Sequence, residues 1–383
     1  MFPMRHFVLV YLNSGNGHRS QATVLKEAIE EAHPDAKVTL LNGFGKYNLI
    51  CRMLFESGYS FSSNYMEGLW GLTYDFGMKR WFLAVSIRVL MLLTTPYLKK
   101  QFKKLNPTDV VSFHFAITLP VRRALLRCGL SPKLSVVACD PFTAPHAWFY
   151  DKRDDFIVYS QQAKKIAMDF GIPESHLHIL PFLLNKRFRD KVTDQQVHDL
   201  REQFGFDQNK PVVLLAGGGE GLPGAEKIVE LCAKNNADFA VAVVCGRNKA
   251  LQIQLELVKK NHPQLDLHVY GFVNFMDSLV KLCDIAVTKG GPASVLEVLA
   301  SGKPLIISHY IYNQELGNMR YAVRNGAGFF IQKPEDIYAK LEELLSDSSL
   351  VERLKSNVES LIGQGEGIDV SKTARFLLDK PVR

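Results

Sequence analysis

Two trains of short apolar runs, each run followed by a stretch with helical spacing, limit what this chain can become. In the first train, 6–12, 38–41, 110–113, 134–138 and 156–159 read as buried strands. Residues 18–32 put Ala22, Leu25, Ala28, Ile29 and Ala32 at helical spacing, and 120–127 and 161–170 supply further helices. Strands separated by helices do not close as hairpins; they pair in parallel, with helices covering the sheet. The second train has strands at 212–216, 240–244, 267–270, 285–288 and 304–308. Helices at 223–235, 251–261, 275–282 and 293–301 lie between them, and 335–346 and 348–362 close the series. The polar, charged stretch 185–209 separates the two trains as a linker with a short helix. The expected class is α/β, two doubly wound Rossmann-like domains facing a central cleft, with ligands at the carboxyl ends of the strands. The expected division is 1–187, a linker at 188–209, a second domain at 210–365, and a C-terminal helix within 366–383 that packs back on the first domain.

A chain of 383 residues buries two such cores without disulfides or metals. Its 47% hydrophobic and 22% charged residues exclude wholesale disorder and coiled coil. Lys and Arg number 46 against 39 Asp and Glu, a net +7. That excess suits an anionic substrate or an anionic membrane surface and is too small to argue for nucleic acid. The six cysteines show no CxxC or other zinc spacing and lie mostly in apolar runs, which points to packed, reduced thiols and a cytoplasmic compartment. The N-terminus runs straight into a strand pattern, so no signal peptide is expected. The most apolar stretch, 81–98, carries Arg88 in its middle and is flanked by Lys79, Arg80, Lys99, Lys100, Lys103 and Lys104. It reads as a buried helix, as an interfacial segment whose basic ends meet anionic lipid, or as a membrane span.

Five motifs carry chemistry. Asn13 to His18 is a Gly-rich turn between the first strand and the first helix. Gly17 allows close backbone approach, and His18 is either a packing histidine at the helix start or a proton acceptor. Asp140 ends a strand before a proline, either as a turn cap or as a carboxylate at the cleft rim. Gly217, Gly218 and Gly219 follow the first strand of the second half and can bring amides against a diphosphate. The strongest signal is Thr288-Lys289-Gly290-Gly291-Pro292-Ala293-Ser294, a strand, a turn and a helix start that offer amides and a hydroxyl to phosphate. Glu297 lies three residues after Ser294 on one helix face, where it either reaches a ribose diol or closes a capping box. In the fifth, Gln314 and Asn318 stand one helical turn apart, so both amides can face one sugar.

The Gly-Gly-Pro-x-Ser-x-x-Glu and Gln-Glu-x-x-Asn pair, with the Gly-Asn-Gly-His turn, resembles the GT-B glycosyltransferases of the monogalactosyldiacylglycerol synthase, diacylglycerol glucosyltransferase and MurG type, family 28-like. Val-Val-x-x-Asp at 136–140 and His-x-Trp-Phe at 146–149 are most similar to the diacylglycerol branch. The resemblance implies that Gly218, Gly219, Gly290, Gly291 and Ser294 hold a UDP diphosphate and that Glu297 holds the ribose. It implies that Gln314 and Glu315, with Asn318, read the donor hexose and that the backbone at Phe272 and Val273 meets the uracil. Arg247 and Asn248 match a Cys-Gly-[Arg/Lys]-Asn segment at the cleft, and Gly17, His146 and Trp148 fall on the acceptor side. Two departures stand out: Lys-Gly-Gly-Pro replaces the usual order in the donor loop, and Tyr-Asn precedes Gln314 where relatives have Pro-Gly.

The chain contains no Asp-x-Asp. The expectation is therefore an inverting, metal-independent enzyme without a cofactor, in which amide dipoles and basic side chains stabilise departing UDP. It moves a hexose from a UDP-sugar to a diacylglycerol-type lipid, with His18 or Asp140 as the base, in the cytoplasm at the inner face of the cell membrane. The alternatives are MurG-like GlcNAc transfer to a polyprenyl-linked acceptor and a UDP-GlcNAc 2-epimerase-like isomerase.

Overall fold

The structure is a computed structural model and describes residues 5–13, 17–45, 48–53, 79–311, 313–364 and 369–379. The chain divides into two compact units, 1–185 with 312–314 and 366–383, and 186–311 with 315–365. Each is built on a six-stranded parallel sheet.

The first sheet runs β2-β1-β3-β4-β5-β6. Its strands are β1 (His6–Tyr11), β2 (Lys37–Asn42), β3 (Asp109–Ser112), β4 (Lys133–Val137), β5 (Asp155–Val158) and β6 (Leu177–Ile179). Phe7, Val8, Leu9 and Val10 of β1 are all fully buried, because helices cover both faces of the sheet. On one face, Leu25, Ala28 and Ile29 of α1 (Gly17–Ala32) share a core with Ala374 and Leu377 of the C-terminal helix Ser371–Asp379. Arg5 fastens that helix: it pairs with Asp109 at 2.6 Å and donates to the carbonyls of Leu377 and Leu378.

The other face is covered by α2 (Leu49–Arg52), α3 (Arg80–Leu105) and α4 (Phe115–Cys128). The apolar stretch 81–98 lies in α3 and is buried on one side only. Leu83, Ile87, Leu90, Leu98 and Phe102 point inward at helical spacing, whereas Trp81, Val85, Val89, Leu92 and Leu93 are exposed. By length and composition α3 is also long and apolar enough to cross a membrane. Its inner face nevertheless packs with Val8 and Val10 of β1 and Ile117 and Val121 of α4, so it is at once a core helix and an apolar outer surface.

Two short helices, α5 (Gln161–Asp169) and α6 (Lys186–Arg189), precede α7 (Asp194–Phe204), which carries a capping box between Thr193 and Gln196. The polar connector is therefore largely helix. The second sheet runs β12-β11-β10-β7-β8-β9. Its strands are β7 (Val212–Ala216), β8 (Ala240–Val244), β9 (Leu267–Tyr270), β10 (Ile285–Lys289), β11 (Leu305–His309) and β12 (Gly328–Phe330). Helices α8 (Ala225–Lys234), α9 (Lys249–Asn261), α10 (Met276–Leu282), α11 (Pro292–Ala300) and α12 (Leu316–Arg324) connect them.

Candidate functional site

In an open parallel sheet, ligands gather where the strand order reverses, because the connections there leave the sheet to opposite faces and open a crevice. The first sheet reverses between β1 and β3, and the second between β7 and β10. The predicted residues cluster after those strands and their neighbours.

In the first unit, Gly17 and His18 open α1, and a Cβ on Gly17 would meet no atom of the described residues within 4 Å. The His18 ring lies edge-on to His114, centroids 4.7 Å apart, and 6.2 Å from the Trp148 ring. Its Nδ1 is buried and has no hydrogen-bond partner among the described residues. Burial pushes the His18 pKa down to about 4, against a backbone hydrogen bond with Phe113 that favours the charged ring. The imidazole is therefore neutral at neutral pH and free to accept a proton. His114, which sequence reasoning missed, follows β3 and caps α4: its Nδ1 accepts the Ala116 N–H at 3.1 Å. Burial, and then the neighbouring His18, hold its pKa well below the usual histidine value.

Asp140 emerges after β4 and accepts the Trp148 indole N–H at 2.7 Å. Trp148 is only 2% exposed, packed on Phe115 and both histidines. Trp148, expected on the acceptor side, is a buried ring that bonds Asp140 and stands 6.2 Å from the His18 ring. His146 begins the short turn His146–Phe149, half-buried, with its ring 5.1 Å from Phe170.

In the second unit, the loop Gly217–Gly218–Gly219 leaves β7 level with the end of β10, since Ala216 pairs with Thr288. A Cβ on Gly217 would lie 2.3 Å from the Gly221 carbonyl oxygen, and one on Gly246, at φ +60°, 2.3 Å from that of Gly219. Only glycine lets these two loops touch. Arg247 lies over Gly219 and pairs with Glu220 at 3.1 Å, an exposed contact of about 0–1 kcal/mol that a phosphate can replace. Lys289, absent from the expected site list, ends β10 beside Gly218 and close enough to Glu315 to oppose the rise that burial causes in that residue's pKa. Its signal was its place just before the Gly-Gly-Pro turn. Asn248 caps α9 by accepting the Leu251 N–H at 3.0 Å. Phe272 is exposed at the end of β9, with Val273 half-buried beside it.

Helix α11 begins at Pro292 with Gly291 as its cap, so Ser294 is already inside the helix. The capping-box reading of Glu297 is thereby excluded: Ser294 is not the cap residue. Burial, and then Asp277, push the Glu297 carboxyl up to about 8. Glu315 is buried, accepts the Ile311 N–H at 2.8 Å, and has its pKa raised by burial against the pull of Lys289. The expected shared helical face of Gln314 and Asn318 is corrected. Asn313 takes a left-handed φ of 58°, and α12 starts only at Leu316, so Gln314 lies on the preceding turn. Asn318 is buried and donates to the Gly290 carbonyl at 2.8 Å, with its Oδ1 unpartnered. It clamps the Gly-Gly-Pro turn from behind. Residues 14–16 and 312, parts of two motifs, lie outside the described residues.

Among the described residues, no group of three or more His, Cys, Asp or Glu is placed to hold a metal ion. Residues 18–180 match the sequence profile of the monogalactosyldiacylglycerol synthase family, and 196–360 that of the group 1 glycosyl transferases. A probable monogalactosyldiacylglycerol synthase 2, chloroplastic, of Oryza sativa subsp. japonica is 27% identical over 342 residues, 87% of this chain and 72% of the relative. Among solved structures, MurG of Acinetobacter baumannii superposes with a TM-score of 0.61 at 14% identity, covering 98% of this chain and 99% of that one. The UDP-GlcNAc 2-epimerase of Neisseria meningitidis bound to UDP-GlcNAc gives 0.63 at 13% identity, covering 99% and 100%.

Proposed function

From the premise that the chain belongs to the GT-B glycosyltransferases of the monogalactosyldiacylglycerol synthase type, we propose that it transfers a hexose from a UDP-sugar to the free hydroxyl of a diacylglycerol-type lipid, inverting the anomeric carbon. The observation that carries this reading is the match of 18–180 to the monogalactosyldiacylglycerol synthase profile, which opens on His18, a half-buried, neutral imidazole at the reversal point of the first sheet. Fold alone does not choose, since a transferase and an epimerase superpose almost equally well.

In this mechanism the acceptor hydroxyl donates to the His18 ring and attacks the anomeric carbon. The C–O bond to UDP breaks, UDP leaves with the electron pair, and the hydroxyl proton passes to His18. The orphaned Nδ1 supports the assignment, because an unpartnered buried acceptor costs about 1–3 kcal/mol that a donated hydroxyl recovers. The glycine loops at 217–219 and 290–291, with Lys289, Arg247 and the Ser294 hydroxyl, hold the diphosphate and stabilise its growing charge. Gln314 and Glu315 read the hexose, with Asn318 bracing the turn behind them.

Glu297 takes the ribose diol. Its substitution by Ala should weaken UDP binding by about 1–3 kcal/mol, read by calorimetric titration on folded protein. The sign with pH follows from the raised pKa: the free carboxyl is neutral below about 8, whereas a ribose hydroxyl donates best to the ionised form. Wild-type UDP affinity should therefore rise from pH 7 to 8.5, and Glu297→Ala should be flat. Unchanged affinity in the mutant removes Glu297 from the site.

We take the reaction to need no metal or cofactor, because the sequence has no Asp-x-Asp and its phosphate turns are rich in glycine. Full activity in EDTA is expected, and loss restored by magnesium or manganese would contradict it. We place the enzyme in the cytoplasm, held peripherally on the inner face of the cell membrane by α3. The deciding experiment supplies labelled UDP-glucose, UDP-galactose and UDP-GlcNAc with and without diacylglycerol liposomes. Glycolipid formed only with diacylglycerol supports the proposal. Transfer only to a polyprenyl-linked acceptor, or sugar isomerisation without lipid, replaces it.

A further inference from the structure

We propose that His114 is a positioning residue for His18, a fixed ring that holds the base imidazole in one orientation and keeps water from it; this deepens the reading of His18 as the base and rests on it. Three observations carry the inference. His114 is itself pinned, since its Nδ1 accepts the Ala116 N–H at the start of α4 and the residue is 5% exposed. Its ring meets the His18 ring edge-to-face at 4.7 Å, and the Phe115 ring also packs on it at 4.6 Å. The His18 ring, finally, keeps one hydrogen bond, to the Phe113 backbone, while its buried Nδ1 has no partner among the described residues, so rotation about that single tether is limited by the packed neighbouring rings.

The surroundings explain why an uncharged ring stands here. The N–H bond accepted at Nδ1 leaves the His114 proton on Nε2, and a helix N-terminus disfavours an imidazolium. A neutral neighbour does not repel the charge that His18 gains when it takes the acceptor proton. Trp148 packs against both rings, 6.2 Å from His18 and 6.1 Å from His114, with its N–H on Asp140. Asp140 therefore meets the Trp148 indole that stands against His18. The titratable groups around the base are His114 from α4 and Asp140 from the end of β4, the latter through Trp148.

The test compares His114→Asn, which keeps a capping oxygen but removes the ring, with His114→Phe, which keeps a ring and loses the cap. Steady-state turnover, UDP affinity and the pH dependence of kcat/KM are measured on protein shown to be folded. His114→Asn is expected to lower kcat by about 10²-fold, the scale for a misplaced catalytic group, with UDP affinity unchanged. Its acidic limb should move up from near pH 4 toward 6.5, because a loosened, hydrated His18 regains its ordinary pKa. His114→Phe should recover part of that loss in kcat despite its lower melting temperature. If His114→Asn loses only thermal stability, with kcat and pH profile as in the wild type, His114 is merely a helix cap and the inference fails. If His114→Phe is as slow as His114→Asn, His114 acts through its own nitrogen and ring packing is the wrong account. Should His18→Ala retain full turnover, the base assignment falls and this inference with it; a dead His18→Ala beside a normal His114→Asn overturns this inference alone.

Discussion

Replacing His18 by Ala is expected to lower kcat by about 10²–10⁴-fold and to leave UDP affinity intact, the range for loss of a general base. None of the proposed diphosphate- and ribose-binding residues lies on α1, so a change confined to that helix removes no proposed UDP contact. The pH profile gives the sharper signature. A base must be unprotonated, and burial holds the His18 pKa at about 4, so kcat/KM for the lipid acceptor, measured with the UDP-sugar held saturating so that Glu297 does not contribute, should stay level from pH 8 to near 5 and fall only below that. An ordinary histidine would show its limb near 6.5. The same burial acts on stability with a defined sign. His18 and His114 both have folded pKa values below their unfolded ones, so the unfolded chain takes up protons that the folded chain refuses. Stability is full above pH 6.5 and declines from there toward 4, at up to about 1.4 kcal/mol per pH unit for each ring. Activity below pH 5 must therefore be measured beside a melting curve. Asp140 is the rival base. Its carboxylate bonds the Trp148 indole, so Asp140→Asn should cost less than His18→Ala, and the double mutant should be little worse than His18→Ala alone. A fully active His18→Ala with a dead Asp140→Asn would reverse the assignment.

Much of the fold was legible because parallel strands buried on both faces must be continuous apolar runs, and this chain writes them plainly at 6–12, 212–216 and 240–244. The two strands not anticipated, β6 and β12, are sheet edges of three residues each. Each buries only its first residue, Leu177 and Gly328, so no apolar run marks them. At the site, residues tied to a turn were readable, because Gly-Gly-Pro and the loop after β7 need glycine for local reasons. Residues defined by what lies across the sheet were not. His114 sits between Phe113 and Phe115 in an apolar context, and only its place after β3, beside β1, marks it. The pairing of Gln314 with Asn318 assumed one unbroken helix, which the left-handed turn at Asn313 interrupts. The resemblance put Trp148 on the acceptor side but could not show its bond to Asp140, which depends on the turn 146–149 folding back beside the end of β4.

Changing Lys99, Lys100, Lys103 and Lys104 together to Glu is expected to abolish binding to anionic vesicles while leaving UDP binding untouched. The structure gives this prediction a surface. Trp81, Val85, Val89 and Leu92 recur at intervals of three and four residues along the outer side of α3, and Lys100, Lys103 and Lys104 continue the exposed side toward its C-terminus. Leu49 and Met53 add exposed apolar area in and beside α2. A solvated helix spends its outer face on polar side chains; an outer face of Trp, Val and Leu with lysines at one end is the pattern that the proposed docking in a headgroup layer requires. The inner face is already committed to the core through Leu90, Leu98 and Phe102, which favours lying on the surface over crossing it. Each lysine near an anionic surface contributes about 1 kcal/mol, so losing four lowers the partition constant by roughly 10³-fold before the added repulsion of four carboxylates. High salt should weaken wild-type binding in the same direction, since these charges are exposed and screened within a Debye length. Replacing Val89 and Leu92 by Ser should weaken binding to neutral and anionic vesicles alike, which separates the apolar contribution from the electrostatic one. Activity on diacylglycerol in vesicles should fall with binding, and activity on a soluble short-chain diacylglycerol should persist. If the four-lysine variant still sediments with anionic vesicles as the wild type does, docking occurs elsewhere and the exposed face of α3 serves another purpose.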